Sequence, residues 1–112
     1  MNSTARPEFI TIKKNREIKA LLEGGKKIHT KYGIFFLSRE TSLAAISYAV
    51  LIKKSVGNAV WRNYCKRIVR TYIRNNVQKF SHFRKFIFLY NFNGKIRYSD
   101  LIQEFNKRLE TR

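Results

Sequence analysis

Apolar residues along this chain change their spacing several times, and each change marks an element. In "KNREIKALLE" (14–23) Ile18, Leu21 and Leu22 stand at i, i+3 and i+4, the spacing of one helical face. Gly24-Gly25 follow, residues able to take positive φ where a helix stops. The runs "YGIFFLS" (32–38) and "LAAISYAVLI" (43–52) are rich in aromatic and β-branched residues, with the turn-like "SRETS" between them. They predict two strands paired antiparallel. After Val56-Gly57-Asn58 the period lengthens: Trp61, Cys65, Ile68 and Tyr72 recur at helical spacing with Val69 and Ile73 beside them. A helix is predicted from Asn58 or Ala59 to Asn75 or Asn76. "KFIFLYNF" (85–92) predicts a third strand ahead of the turn-like Asn93-Gly94. Ser99 or Asp100 can cap a last helix with Leu101, Ile102, Phe105 and Leu109 on one side. The order α-β-β-α-β-α predicts an α+β sandwich, with helices packed on a small antiparallel-containing sheet.

A chain of 112 residues, 44% of them hydrophobic, is the size of one domain with one core. Without repeats, low-complexity tracts or linkers, a single domain over 1–112 is expected, residues 1–12 forming an N-terminal arm. Charge changes this picture most. Lys and Arg number 24 against 7 Asp and Glu, a formal charge of +17, and not one carboxylate falls between Thr41 and Ser99. A merely soluble surface intersperses both signs. A one-signed middle instead points to a polyanion, nucleic acid above all. No stretch reaches the roughly 20 apolar residues of a membrane span, and no lipidation signal stands at either end. The start has no secretory h-region, and a lone Cys65 cannot form an internal disulfide, so a cytoplasmic protein with no membrane partner is expected.

The charge concentrates on the central helix. At about 100° per residue, Trp61, Tyr64, Cys65, Ile68, Val69, Tyr72 and Ile73 fill one arc, and Arg62, Asn63, Lys66, Arg67, Arg70 and Arg74 fill the other. Like charges three and four apart disfavour an isolated helix by a few tenths of a kcal/mol each, and no Glu relieves them. Phosphates do, because guanidinium forks match their oxygens. Asn63 within the stripe can reach 2′-hydroxyls or base edges, or can be simple exposed filler. Lys53 and Lys54 lead into the helix, Gly57 can take a backbone conformation closed to other residues, and Asn58 suits an N-cap, a role sufficient to explain it. Catalytic constellations are scarce. His29 and His82 are isolated, Cys65 is on the apolar arc, and metal-ligand spacings and paired carboxylates are missing. Any RNA cleavage would use a catalyst held elsewhere. A basic ribosomal or assembly protein binding structured RNA is the alternative, and a DNA-binding module a weaker one, because its helix would be tied to the core along half its circumference.

"VGNAVWRNYCKRIVR" (56–70) resembles the signature of the bacterial ribonuclease P protein component. Gly57, Asn58, Ala59, Val60, Arg62, Asn63, Lys66, Arg67 and Arg70 stand where that pattern wants them. "EGGKKI" and "RYSDLIQEFNKRL" are similar in order and spacing, so the likeness covers nearly the whole chain. The resemblance implies an α+β sandwich with a left-handed crossover at the central helix, an exception to the usual handedness. It implies the non-catalytic protein subunit of an endoribonuclease that removes the 5′ leader from precursor tRNA, with Mg²⁺ bound mainly by the catalytic RNA. The implied partners are that RNA subunit and precursor tRNA, with no protein partner. RNA-subunit binding carries over to Lys53, Lys54, Asn58, Arg62, Asn63, Lys66, Arg67, Arg70 and Arg74. Leader binding carries over to Ile18, Leu22 and Phe36, and Phe36 is the candidate for base stacking, because Ile18 and Leu22 replace family aromatics. Tyr64 and Tyr90 stand where relatives often carry arginine, Thr71 stands for a frequent acid, and Lys53-Lys54-Ser55 for Ser-Lys-Lys.

Overall fold

The computed structural model describes residues 9–38, 46–80 and 85–110, and its helices fall where the apolar period puts them: α1 at Asn15–Gly24, α2 at Ala59–Asn75 and α3 at Tyr98–Glu110. The three predicted strands are β3 (Gly33–Leu37), β4 (Ile46–Ile52) and β5 (Lys85–Tyr90). Two short edge strands join them, β1 (Phe9–Thr11) and β2 (Lys26–His29). Part of the expected N-terminal arm is therefore sheet, and residues 1–8 lie outside the described residues. So do residues 39–45, which hold most of the expected turn after β3.

The strands run in the order β1-β4-β5-β3-β2. The expected antiparallel pairing of β3 with β4 does not occur. β5 lies between them, antiparallel to β3 (Phe35 opposite Phe88) and parallel to β4 (Val50 opposite Phe88). Composition marks a strand without naming its neighbour, and a parallel neighbour needs a crossover, which α2 supplies here.

Period-two alternation gives each strand two working faces. One face of the sheet carries Phe35, Leu37, Ile46, Tyr48, Val50, Phe86, Phe88 and Tyr90 against α2 and α3. Its centre is aromatic: the Phe35 ring centroid lies 4.5 Å from that of Phe88 and 5.1 Å from that of Phe105, and Phe80 stacks on Phe86 at 4.7 Å. The Tyr72 hydroxyl, on α2, donates to Asn106 Oδ1 on α3 at 2.7 Å, tying the two helices together. The opposite face carries Phe36, Ala49 and Ile87, with Leu21 and Ile12 laid over them and Ile18 and Leu22 beside.

The termini of the helices correct three expectations. Gly25 ends α1 in an extended conformation (φ −74°), so positive φ is not what the position requires. A Cβ there would fall 2.7 Å from the Leu21 carbonyl oxygen and 3.1 Å from that of Leu37, so glycine lets the end of α1 close on β3. Gly57 is likewise extended, and a Cβ would meet Trp61 Cδ1 at 2.8 Å. α3 begins one residue before Ser99: the Arg97 carbonyl accepts from the Asp100 and Leu101 N–H groups, which leaves Ser99 and Asp100 in the first turn. A carboxylate suits that turn, where the helix dipole is positive.

Candidate nucleic-acid interface

α2 starts cleanly. Asn58 holds an extended conformation ahead of it, and its Oδ1 accepts from the Trp61 N–H at 2.9 Å. That bond satisfies one of the donors a helix start leaves open. Capping is thus the visible role of Asn58. Lys53 extends the pairing of β4 by one bond, its N–H donating to the Tyr90 carbonyl at 3.1 Å, and a 3-10 turn at Lys54–Val56 leads to the helix. Both lysines are exposed.

With Cys65, Ile68, Val69, Tyr72 and Ile73 buried, the register of α2 is fixed, and the polar arc must face outward. Asn63, Lys66, Arg67, Arg70, Thr71 and Arg74 line one shallow depression of about 410 Å³ along it. Arg62, Asn63 and Lys66 also line a second one, of about 280 Å³, shared with Val50, Leu51, Ile52 and Ala59. All six predicted stripe residues are therefore brought together on one surface. Ion pairs among the described residues lie elsewhere: Lys85 with Glu17 at 2.9 Å and Arg108 with Glu104 at 3.1 Å. The Nε atoms of Arg62 and Arg70 are buried with no hydrogen-bond partner among the described residues. An unmet donor on a cation is costly.

The two tyrosines singled out in the sequence, Tyr64 and Tyr90, have separate fates. Tyr90 is fully buried in the core between β5 and α2. Its hydroxyl meets no partner in hydrogen-bonding geometry among the described residues, and burial, then the neighbouring Cys65 thiol, push its pKa up. Burial likewise pushes Cys65 up, the tyrosine acting against it, so Cys65 is a thiol of the core. Tyr64 lies half-buried at the rim of α2. Its ring stacks on Trp61 (5.1 Å between centroids, 25° between planes), and the Arg67 guanidinium carbon sits 5.9 Å from it on the same helix edge. Beside this ladder Val60 is 79% exposed. The sequence signal for the ladder is the i, i+3, i+6 spacing of Trp61, Tyr64 and Arg67.

On the other side of the sheet, Ile18, Leu22 and Phe36 do gather in one cluster, but Phe36 is only 5% exposed. Lys27 Nζ lies 5.7 Å from its ring centroid. Phe36 thus supports this face from beneath, and the ring presents little surface on which a base could stack. The part of the face left half-open is the next row across the strands, Leu51, Leu89 and Ile34, which the register places side by side. None of the three stands out in the sequence, because their alignment depends on strand order. α1 covers only the adjoining row. Glu17 anchors it to Lys85 on β5, and that hydrogen bond, with the lysine charge, holds the Glu17 carboxyl below the usual carboxylate range.

Among the described residues no three His, Cys, Asp or Glu side chains converge, so they do not form a cage for a metal ion. No helix among them is long and apolar enough to cross a membrane.

Comparison with known proteins agrees with this architecture. The ribonuclease P family profile matches residues 7–111. The ribonuclease P protein component of Fusobacterium nucleatum is 35% identical over 69 residues, which span 62% of this chain and 61% of that protein. That of Syntrophus aciditrophicus is 29% identical over 94 residues, 83% of this chain and 78% of the relative. Among solved structures, the RNase P protein of Staphylococcus aureus superposes with a TM-score of 0.74 over 90% of this chain and 93% of its own, at 16% identity. That of Thermotoga maritima gives 0.73 over 91% and 96%, also at 16%. With a profile spanning nearly its whole length, the chain belongs to the ribonuclease P protein family.

Proposed function

We propose that the protein is the RNA-binding subunit of ribonuclease P, a cytoplasmic ribonucleoprotein that cuts the 5′ leader from precursor tRNA. The observation that carries this reading is the α2 surface, on which Arg62, Lys66, Arg67, Arg70 and Arg74 share one face with no carboxylate paired to them among the described residues. Such a rail suits a folded RNA, whose phosphates replace the mutual repulsion of the cations with charge-assisted hydrogen bonds. Asn63 adds a donor and an acceptor within it. Catalysis belongs to the RNA subunit in this reading, and Mg²⁺ is held by RNA. The protein lowers the repulsion between two polyanions and so strengthens their association.

Leader binding falls to the opposite face. Ile18 and Leu22 form the wall of the α1 side, Phe36 the floor, and the half-open row of Leu51, Leu89 and Ile34 the surface for unstacked bases, which are apolar on their faces and sequence-tolerant as ligands.

Reconstitution tests the reading. The protein mixed with a bacterial ribonuclease P RNA at low Mg²⁺ is expected to stimulate leader removal from a precursor tRNA. Tight binding to ribosomal RNA without any such stimulation would favour the alternative of a ribosomal or assembly protein.

A further inference from the structure

Among the described residues, β4 is paired on both sides at its start and on one side only at its end. β1 pairs with it only from Ile46 to Tyr48, and the last bond on that side is the Ile12 N–H to the Tyr48 carbonyl, at 2.8 Å. Backbone N–H and C=O groups alternate sides along a strand. Val50 and Ile52 therefore aim theirs the way Tyr48 does, past the end of β1, where no described strand takes them up. A sheet edge of this kind is a row of unmet donors and acceptors.

The open edge does not face bare solvent. Its residues Val50, Leu51 and Ile52 line a depression of about 280 Å³ together with Ala59, Arg62, Asn63 and Lys66 of α2. Arg62, which lines it, has a buried Nε with no hydrogen-bond partner among the described residues. Leu51 lines the same depression and belongs to the half-open apolar row on the far face, so the two surfaces meet there. Walls of such different chemistry, two cations and an amide against a peptide edge with an apolar corner, match the parts of one nucleotide.

We propose that this depression is a nucleotide pocket that takes one unpaired nucleotide from a single-stranded RNA segment. The Val50 carbonyl and the Ile52 N–H form an acceptor–donor pair, complementary to the adjacent donor and acceptor on the edge of an unpaired base. Leu51 packs against the base, and Arg62 and Lys66 hold the flanking phosphate. Base pairing occupies the same hydrogen-bonding edge, so duplex RNA is excluded. The pocket would make α2 a reader of strandedness in addition to a phosphate rail. The proposal rests on the RNA-binding reading above, and it does not require that the RNA be a tRNA precursor.

The test uses the whole chain labelled with ¹⁵N, titrated with a uridylate oligomer of about six nucleotides and, separately, with inorganic polyphosphate of matched charge. The oligomer is expected to shift the Val50 and Ile52 amide resonances and slow their hydrogen exchange, and polyphosphate to perturb α2 alone. Equal effects of both ligands on those two amides, or no effect of the oligomer on them, would overturn the pocket. As a second arm, Ala59→Leu fills the depression at an exposed first-turn position and leaves every charge in place. It should weaken oligomer binding about five- to tenfold, the size of one base's contribution, with polyphosphate binding unchanged. Unchanged oligomer affinity in this variant would also overturn the pocket. The cleavage assay is read apart from these. Stimulation of a ribonuclease P RNA without any response at Val50 and Ile52 overturns the pocket and leaves the proposed function standing. The response without stimulation supports the pocket and sinks that function.

Discussion

The two faces of the sheet are built from the same strands and put to opposite uses. Toward α2 and α3, Phe35, Phe86, Phe88 and Tyr90 are sealed beneath two helices and none is measurably exposed. Toward α1, one row is covered by a short helix and the next, Ile34, Leu89 and Leu51, is left half-open. Adjacent residues of β5, Phe88 and Leu89, therefore belong to different environments. The lesson is that stability is concentrated on one face, which frees the other to keep an apolar surface that a folding core would otherwise have consumed.

Substitutions at that adjacent pair should break the comparison most sharply. Phe88→Ala leaves a cavity among Phe35, Tyr90 and Phe105 and should cost about 3–5 kcal/mol, measured by urea unfolding. Leu89→Ser should cost a smaller amount, about 1–2 kcal/mol, while lowering affinity for a precursor tRNA more than for mature tRNA. Equal stability losses at the two positions would show that both faces are core. Phe36→Ala is a poorer probe of the leader than its sequence context suggests, because a residue so deeply buried changes stability and binding together.

The α2 stripe is the other half of the contrast, polar where the sheet row is apolar. Removing Arg62 or Lys66 as alanine should weaken binding of the RNA subunit and lower the dependence of log K on log salt by about one unit for each phosphate that the variant no longer neutralises. Leu89→Ser should leave that slope unchanged. A slope that moves with the apolar substitution and not with the charged ones would reverse the assignment of the two surfaces.

Much of this division was legible in the chain. The arc of Trp61, Cys65, Ile68 and Tyr72 located α2 and its inward face to within a residue, since a 3.6-residue period is a local property. The cation stripe followed by subtraction. Strand order was not legible: "YGIFFLS" and "LAAISYAVLI" were strands, but nothing in either says that β5, more than thirty residues later, separates them. The half-open row and the unpaired end of β4 both depend on that order, so neither could be found before it. Tyr64 and Tyr90 show the same limit. The family resemblance treats both alike, and only packing distinguishes a ring stacked beside Trp61 from one buried against Cys65.

Smaller effects sharpen the picture of how each surface is held. Asn58→Ala removes the cap bond to the Trp61 N–H and should cost about 1 kcal/mol. Its RNA affinity should fall only as far as the first turn of α2 frays. A loss as large as that of Arg62→Ala would mean that Asn58 touches RNA as well as capping.

The smallest effect concerns the attachment of α1. Glu17 accepts from Lys85 at 2.9 Å, and this bond, then the lysine charge, holds its carboxyl below the ordinary carboxylate range. A group whose pKa is depressed by folding stabilises the fold above its unfolded pKa, and loses that contribution as pH falls through the folded value. Wild type should therefore be slightly more stable than Glu17→Gln at neutral pH, with the two urea midpoints converging as the solution is acidified below the ordinary carboxylate range. The pair is exposed enough for added salt to shrink the difference as well. Because Lys85 sits on the α1 face at the start of β5, the same substitution loosens α1 over the row that contains Ile87 and should leave the α2 side untouched. Hydrogen exchange in the two variants separates these outcomes: faster exchange confined to α1 keeps the faces independent, whereas faster exchange in α2 and α3 would show that the open face also supports the sealed one.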